Sequence, residues 1–206
     1  MIVAKNLDIG YNGKPILTGL NYEFRDNKVY GILARSGYGK STLLKTLAGL
    51  IPPVNGSVEI DGKVYRGTDN NPIYMMHQRY TNFGWLDCVS NVLIAQRDRK
   101  KRNRDEAMAI LDQVGLKGYE KDWPTVLSGG MQQRLALARV LYVKPKYLLM
   151  DEPLSALDDS TRAAMQDLVL RIHGENGGII IMVTHSAEEA NRVCDEIIKL
   201  GGNENA

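Results

Sequence analysis

The sequence predicts an α/β fold on a mostly parallel sheet, with an antiparallel β portion near the N-terminus and an inserted α-helical portion. Three observations carry this. A strand-like run at residues 29–33 breaks into the glycine-bearing stretch Ala34-Arg-Ser-Gly-Tyr-Gly-Lys-Ser-Thr42 and reopens as a helical pattern. Further apolar runs of strand length, at 73–77, 147–150, 179–183 and about 197–200, alternate with helical patterns, the signature of crossover connections. From about 85 to 142 the apolar spacing turns helical, broken at Pro124 and Ser128-Gly-Gly130.

Taken in order, residues 2–9 and 20–24 read as strands of a half-exposed antiparallel sheet, with Tyr11 just after the first. Leu43, Leu44, Leu47 and Leu50 form the apolar face of the helix that follows the glycine stretch. Pro52-Pro-Val-Asn-Gly-Ser57 is a turn cluster before a strand at 57–60 and the turn Asp61-Gly62. Met108, Leu111, Val114 and Leu116 mark one helix, closed by Gly115 and Gly118. A second starts near Met131, with Leu135, Ala138 and Leu141 inward, and further helices are expected at 160–173 and from about Ala187. The expected division is a core of about 1–80 and 143–206 around a helical subdomain of about 81–142.

The stretch 34–42 is the site around which the rest is organised. A strand that breaks into a glycine loop and opens a helix aims backbone N–H groups and the positive helix end at one point, which is an anion site. The pattern is that of a phosphate loop, G-x-x-x-x-G-K-[ST], and so predicts a P-loop NTPase core. Arg35, Ser36, Gly37, Tyr38, Gly39 and Thr42 line it, Lys40 serves the β- and γ-phosphates, and Ser41 is placed to ligate Mg²⁺. Ala34 stands where the first glycine is usual, and it fits if its φ is negative.

Asp151 and Glu152 end the run 147–150, where strand ends face a ligand crevice. Asp151 is the candidate Mg²⁺ ligand and Glu152 the candidate for positioning an attacking water. A second glycine loop, Leu127-Ser-Gly-Gly-Met-Gln-Gln133, opens a second helix. Two readings fit it, a plain N-cap by Ser128 or another anion site formed by Ser128, Gly129 and Gly130.

Tyr11, the loop 34–42, Gln78, Leu-Ser-Gly-Gly-Met-Gln-Gln-Arg134, Leu148-Leu-Met-Asp-Glu-Pro153, Ser155-Ala-Leu-Asp158 and Val183-Thr-His185, taken in that order, resemble the nucleotide-binding subunits of ABC transporters. The resemblance spans nearly the whole chain. It implies a head-to-tail dimer in which the loop 128–130 of one copy closes on ATP held by the loop 34–42 of the other. It also implies that Tyr11 stacks on adenine, that Gln78 touches Mg²⁺ and the attacking water, and that His185 bonds the γ-phosphate. Asp158 would belong to a loop at the dimer interface. The stretch 80–92 looks most like the nitrate, sulfonate and taurine importers, departing from them at Gly84 and Asp87-Cys88. The implied partners are integral membrane permease subunits and, for an importer, an extracytoplasmic substrate-binding protein. Phe83, Trp85 and Leu86 are the candidate docking surface for a helix of the permease; the alternative is that they pack the helical portion onto the core, and of the three Trp85 is the first expected to be partly core.

Composition narrows the alternatives. The 206 residues are 44% hydrophobic and 24% charged, ordinary for a globular domain, and the net charge of +2 gives no support for a nucleic-acid partner. Chromosome-maintenance ATPases place long coiled coils between the two glycine loops, but only 88 residues separate Lys40 from Ser128, without heptads. Cys88 and Cys194 lack metal-ligand spacing and read as reduced thiols. No run reaches membrane-span length, so a cytoplasmic protein held to the inner face of the membrane by its permease is expected. The basic run 97–104, six Lys/Arg among eight residues, reads as the solvated start of a helix.

Overall fold

The computed structural model describes residues 1–35, 37–77 and 82–200. In chain order its elements are β1 (Ile2–Tyr11), β2 (Lys14–Phe24), β3 (Lys28–Leu33), α1 (Lys40–Leu47), β4 (Asn55–Ile60), β5 (Lys63–Val64), β6 (Ile73–Met76) and α2 (Cys88–Ala95). They continue with α3 (Arg104–Gln113), α4 (Gly129–Val143), β7 (Tyr147–Asp151), α5 (Asp159–Asn176), β8 (Ile179–Val183), α6 (Ala187–Val193) and β9 (Glu196–Lys199). Two compact units divide the chain: Met1–Met75 with Lys146–Glu152 and the segment from Asn176 onward, and Met76–Pro145 with Pro153–Glu175.

The first unit rests on two sheets, a four-stranded antiparallel one in the order β2-β1-β4-β5 and a five-stranded one in the order β6-β7-β8-β3-β9. In the second, β7, β8, β3 and β9 run parallel, as expected. Residues Ile2, Leu7 and Ile9 of β1, Leu43, Leu44 and Leu47 of α1, and Tyr30, Ile32, Leu149 and Ile181 of the parallel sheet share one buried core. Each such side chain contributes about 1.5–3 kcal/mol by leaving water, which fixes α1 between the sheets. Leu50, read as part of the helix face, lies beyond the end of α1 and is exposed.

β2 is longer than its sequence pattern suggested, beginning at Lys14 rather than near Leu20. The cause is the hairpin at Asn12-Gly13, both at positive φ (51° and 73°), which pairs Tyr11 with Lys14. Asn-Gly with two left-handed residues is the turn that matches strand twist, and it carries β1 through Tyr11.

In the second unit, α2, α3 and α4 pack on one another through Val89, Val92, Ala107, Leu111, Leu135, Ala138 and Leu141, all buried. Of the residues that mark this helix in the sequence, Met108 is 41% exposed, while Ala107 and Ile110, not singled out there, are buried. Gly115 follows the end of this helix at a φ of 69°, a left-handed conformation that glycine adopts without steric cost. The basic run is not the start of α3. It forms a 3-10 turn, Arg99–Lys101, and Asn103 then caps α3 by accepting from the N–H groups of Asp105 and Glu106. Asp98 and Asn103 prefer caps to helix interiors, which divides the run.

Burial pushes the Cys88 and Cys194 thiols up to about 12. Burial thus keeps the reactive thiolate fraction small, and neither cysteine is paired in a disulfide.

Candidate functional site

The parallel register brings the site's strands to one level. Ile32 of β3 and Asp151 of β7 both pair with Val183 of β8, so the loops after these strands leave the sheet abreast. The backbone holds them there: Glu152 N–H donates to Val183 O (3.1 Å) and Thr184 N–H to Ile32 O (3.4 Å).

Ala34 has no positive φ, and its methyl group packs against the core. Gly37 and Gly39 do have positive φ (86° and 82°), as a turn into the first helical residue requires. A Cβ on Gly39 would also come within 3.2 Å of Ile16 on β2. Having no side chain, Gly39 gives α1 an N-cap without a capping bond, and no acidic residue occupies its first turn. The N–H groups of Lys40, Ser41 and Thr42 are therefore left for an anion.

Lys40 is only 7% exposed. Its ammonium donates to the carbonyls of Ala34 (2.8 Å) and Arg35 (3.2 Å) across the loop mouth, and among the described residues no carboxylate pairs with it. A buried cation without a counter-charge is costly, and a phosphate bound here would supply that charge. Tyr11, Arg35 and Tyr38 are exposed beside this loop or at the hairpin. Ser36 and Gln78 lie outside the described residues.

Asp151 is buried at the end of β7. With the Ser41 hydroxyl it offers hard oxygen ligands, the chemistry Mg²⁺ needs, and Mg²⁺ takes few protein ligands beside phosphate and water. Glu152 has a φ of 50°, a left-handed conformation that costs a side-chain-bearing residue about 1–2 kcal/mol. Strain of this kind persists where the surroundings fix it, and functional sites collect it. The Glu152 carboxylate is in contact with Nε2 of His185, so two residues read separately from the sequence are side by side. Beyond His185, Ser186 caps α6 by accepting from Glu189 N–H (3.1 Å), and the Glu189 carboxylate accepts from the Thr184 hydroxyl.

The second glycine loop belongs to the other unit. Ser128 is the N-cap of α4, its hydroxyl accepting from Met131 N–H (3.3 Å), so the capping reading holds whatever else the loop does. Gly129 begins the helix, two residues earlier than expected. A Cβ on Gly130 would sit 3.3 Å from Ala156 O and 3.4 Å from Leu157, so the second glycine is fitted to the segment 153–158. Gln133, buried on α4, fixes the same segment by accepting from Ala156 N–H (3.0 Å). Asp158 accepts from Thr161 N–H and the Ser160 hydroxyl, which hold its carboxyl well below the usual carboxylate range and start α5.

Two residues escaped the sequence reading. Gln133 stood in the glycine-loop motif without a role. Buried Asn91 ties down the loop before α2: its amide oxygen accepts from Phe83 N–H, and its amide nitrogen donates to the carbonyls of Phe83, Leu86 and Asp87. A polar residue amid the apolar Val89 and Val92 was the available signal. Asp87 caps α2 by accepting from Ser90 N–H (2.8 Å), work that a threonine at this position can do as well. Held by these bonds, Trp85 is 69% exposed, which corrects the expectation that it is partly core. Phe83 touches its ring (5.3 Å) and stacks under Arg139 (4.8 Å).

Ala34→Gly tests the reading of the loop's first residue. With φ already negative, the change should leave nucleotide affinity unaltered. It should cost about 0.5–1 kcal/mol of stability through backbone entropy, seen as a lower denaturation midpoint. A tenfold gain in affinity would show instead that the methyl group crowds the loop.

Fold and site together define a phosphate-loop nucleotide-binding protein of the α/β class. The family model described as ABC transporter matches residues 17–155. An aliphatic sulfonates import ATP-binding protein of Xanthomonas axonopodis pv. citri is 39% identical over 93% of this chain and 77% of its own length. One from Rhodococcus jostii is 40% identical over 92% and 75%. The dimeric structure of a bacterial ABC transporter cassette, 28% identical, superposes with a TM-score of 0.85 over 97% of this chain and 94% of that one. A dimeric post-hydrolysis state of that cassette, bound to ADP and Pi, gives 0.84. The chain belongs to the ABC transporter family and carries its ATPase cassette.

Proposed function

We propose that this chain is the ATP-hydrolysing subunit of an importer, driving an organic anion of the sulfonate class through a separate membrane permease. The observation that carries the ATP site is Lys40, a buried cation at an uncapped helix start whose partners among the described residues are loop carbonyls. The names of the relatives support the sulfonate class.

Lys40 and the N–H groups of 40–42 bind the β- and γ-phosphates, and Tyr11 stacks on the adenine, a contact that any π-face permits. Ser41, Asp151 and Gln78 hold Mg²⁺, which when bound neutralises phosphate charge. Glu152 orients the attacking water and accepts its proton, and His185 bonds the γ-phosphate. Charge then spreads over the phosphoryl oxygens, where Lys40 and the helix end are already aimed. Ser128, Gly129 and Gly130 of a second copy complete the site. The dimeric cassettes support this arrangement.

Among the described residues no helix is long and apolar enough to cross a membrane. The reading therefore places the chain on the cytoplasmic face, held there by its permease, with a substrate-binding protein on the far side. The exposed Trp85 supplies the anchor: a large aromatic ring on a hydrogen-bonded loop suits a docking contact. Trp85→Glu should leave ATP affinity within twofold and abolish co-purification with the permease. Normal co-purification would remove this surface from the proposal, and absence of Mg-dependent ATP hydrolysis by the unaltered protein would remove the function.

A further inference from the structure

We propose that the basic turn between α2 and α3 docks on anionic phospholipid headgroups. Arg97, Arg99, Lys100, Lys101 and Arg104 are exposed, and among the described residues none of the five makes an ion pair. Such a cluster repels itself, so an unrestrained chain would spread its charges. Here the backbone is pinned instead. Asp98, the one acid within the run, accepts from Lys100 N–H (3.0 Å) and fixes the turn, leaving the run strongly positive with six cations to one acid. Arg102 folds back, its Nε donating to Gln96 O (3.0 Å). Asn103 N–H donates to the hydroxyl of Tyr142 on α4 (2.6 Å), and that hydroxyl donates to Asn103 O (3.2 Å). The cations are thus presented on a fixed turn rather than on a loose tail.

Two features select a lipid surface over other polyanions. Apolar side chains flank the turn: Ile94, three residues before Arg97, is 40% exposed, and Met108, four residues after Arg104 and so on its face of α3, is 41% exposed. Cations bordered by exposed apolar groups suit the boundary between headgroups and acyl chains. Basicity is also local, since the whole chain carries only +2, unlike the broad positive field of a nucleic-acid binder. The choice rests on the importer reading, which brings the chain against a membrane.

The test is co-sedimentation of the full chain with vesicles of phosphatidylglycerol or of phosphatidylcholine, beside the triple substitution Arg99→Gln, Lys100→Gln, Lys101→Gln. Each cation near an anionic leaflet adds about 1 kcal/mol, so the triple variant should bind phosphatidylglycerol roughly a hundredfold more weakly. Binding by the parent should also fall as salt rises. No preference for phosphatidylglycerol, or an undiminished preference in the triple variant, overturns the proposal. So does equal affinity for a DNA duplex in the same salt. Mg·ATP binding, measured on both proteins, keeps the two readings apart. If ATP binds and the vesicles are ignored, only the lipid surface fails. If ATP does not bind, the importer reading fails, and the vesicle result still decides whether the turn binds anionic lipid.

Discussion

Lys40→Ala is expected to abolish tight Mg·ATP binding while the fold persists. Among the described residues of the loop 34–42 the ammonium is the one buried positive charge, held at its mouth by the carbonyls of Ala34 and Arg35. Hydrogen bonds between charged groups are worth about 1.5–3 kcal/mol each, so losing two to the phosphates should weaken binding by roughly 10²–10⁴-fold. The substitution also leaves those two carbonyls short of a donor, a destabilisation of about 1–3 kcal/mol that water entering the opened loop reduces. Calorimetric titration with Mg·ATP reads the first effect and a thermal melt the second. An affinity within a few-fold of the parent's would end the assignment of Lys40 to the phosphates.

Much of this was legible because it is local. A strand, a glycine loop and a helix start are written in consecutive residues, so the loop 34–42, and even the negative φ of Ala34, could be read from the chain. The parallel sheet followed from alternating apolar runs. What was misread depends on tertiary context. Whether Met108 faces in or out is decided by where α2 and α4 lie against α3. Trp85 is exposed on a loop that Asn91 pins through Phe83, Leu86 and Asp87, and those four hydrogen bonds cannot be inferred from spacing. The length of β2 was legible and overlooked, since Asn12-Gly13 is a strong hairpin signal. The left-handed backbone of Glu152 was not, because a glutamate followed by Pro153 gives no hint of positive φ. The pairing of Glu152 with His185 lay equally out of reach, as it depends on β7 and β8 ending at one level.

Glu152→Gln should separate binding from turnover. The substitution keeps the shape of the side chain and an oxygen for His185 but removes the charge that accepts a proton. Backbone strain at this position is common to both proteins, so stability should change little. Nucleotide affinity should survive, because Lys40 and the helix start are untouched, while loss of a general base should slow hydrolysis by roughly 10²–10⁴-fold. ATP that is not consumed would then hold two copies together through Ser128, Gly129 and Gly130. The variant should therefore elute as a dimer with Mg·ATP and as a monomer with Mg·ADP. Adding Ser128→Arg should abolish that dimer, since a long side chain would enter the space of the γ-phosphate. The serine also caps α4, and its loss costs about 0.5–2 kcal/mol, too little to unfold a domain of ordinary stability and visible in a thermal melt. A folded double variant that still dimerises with ATP would mean that the second glycine loop is an N-cap and nothing more.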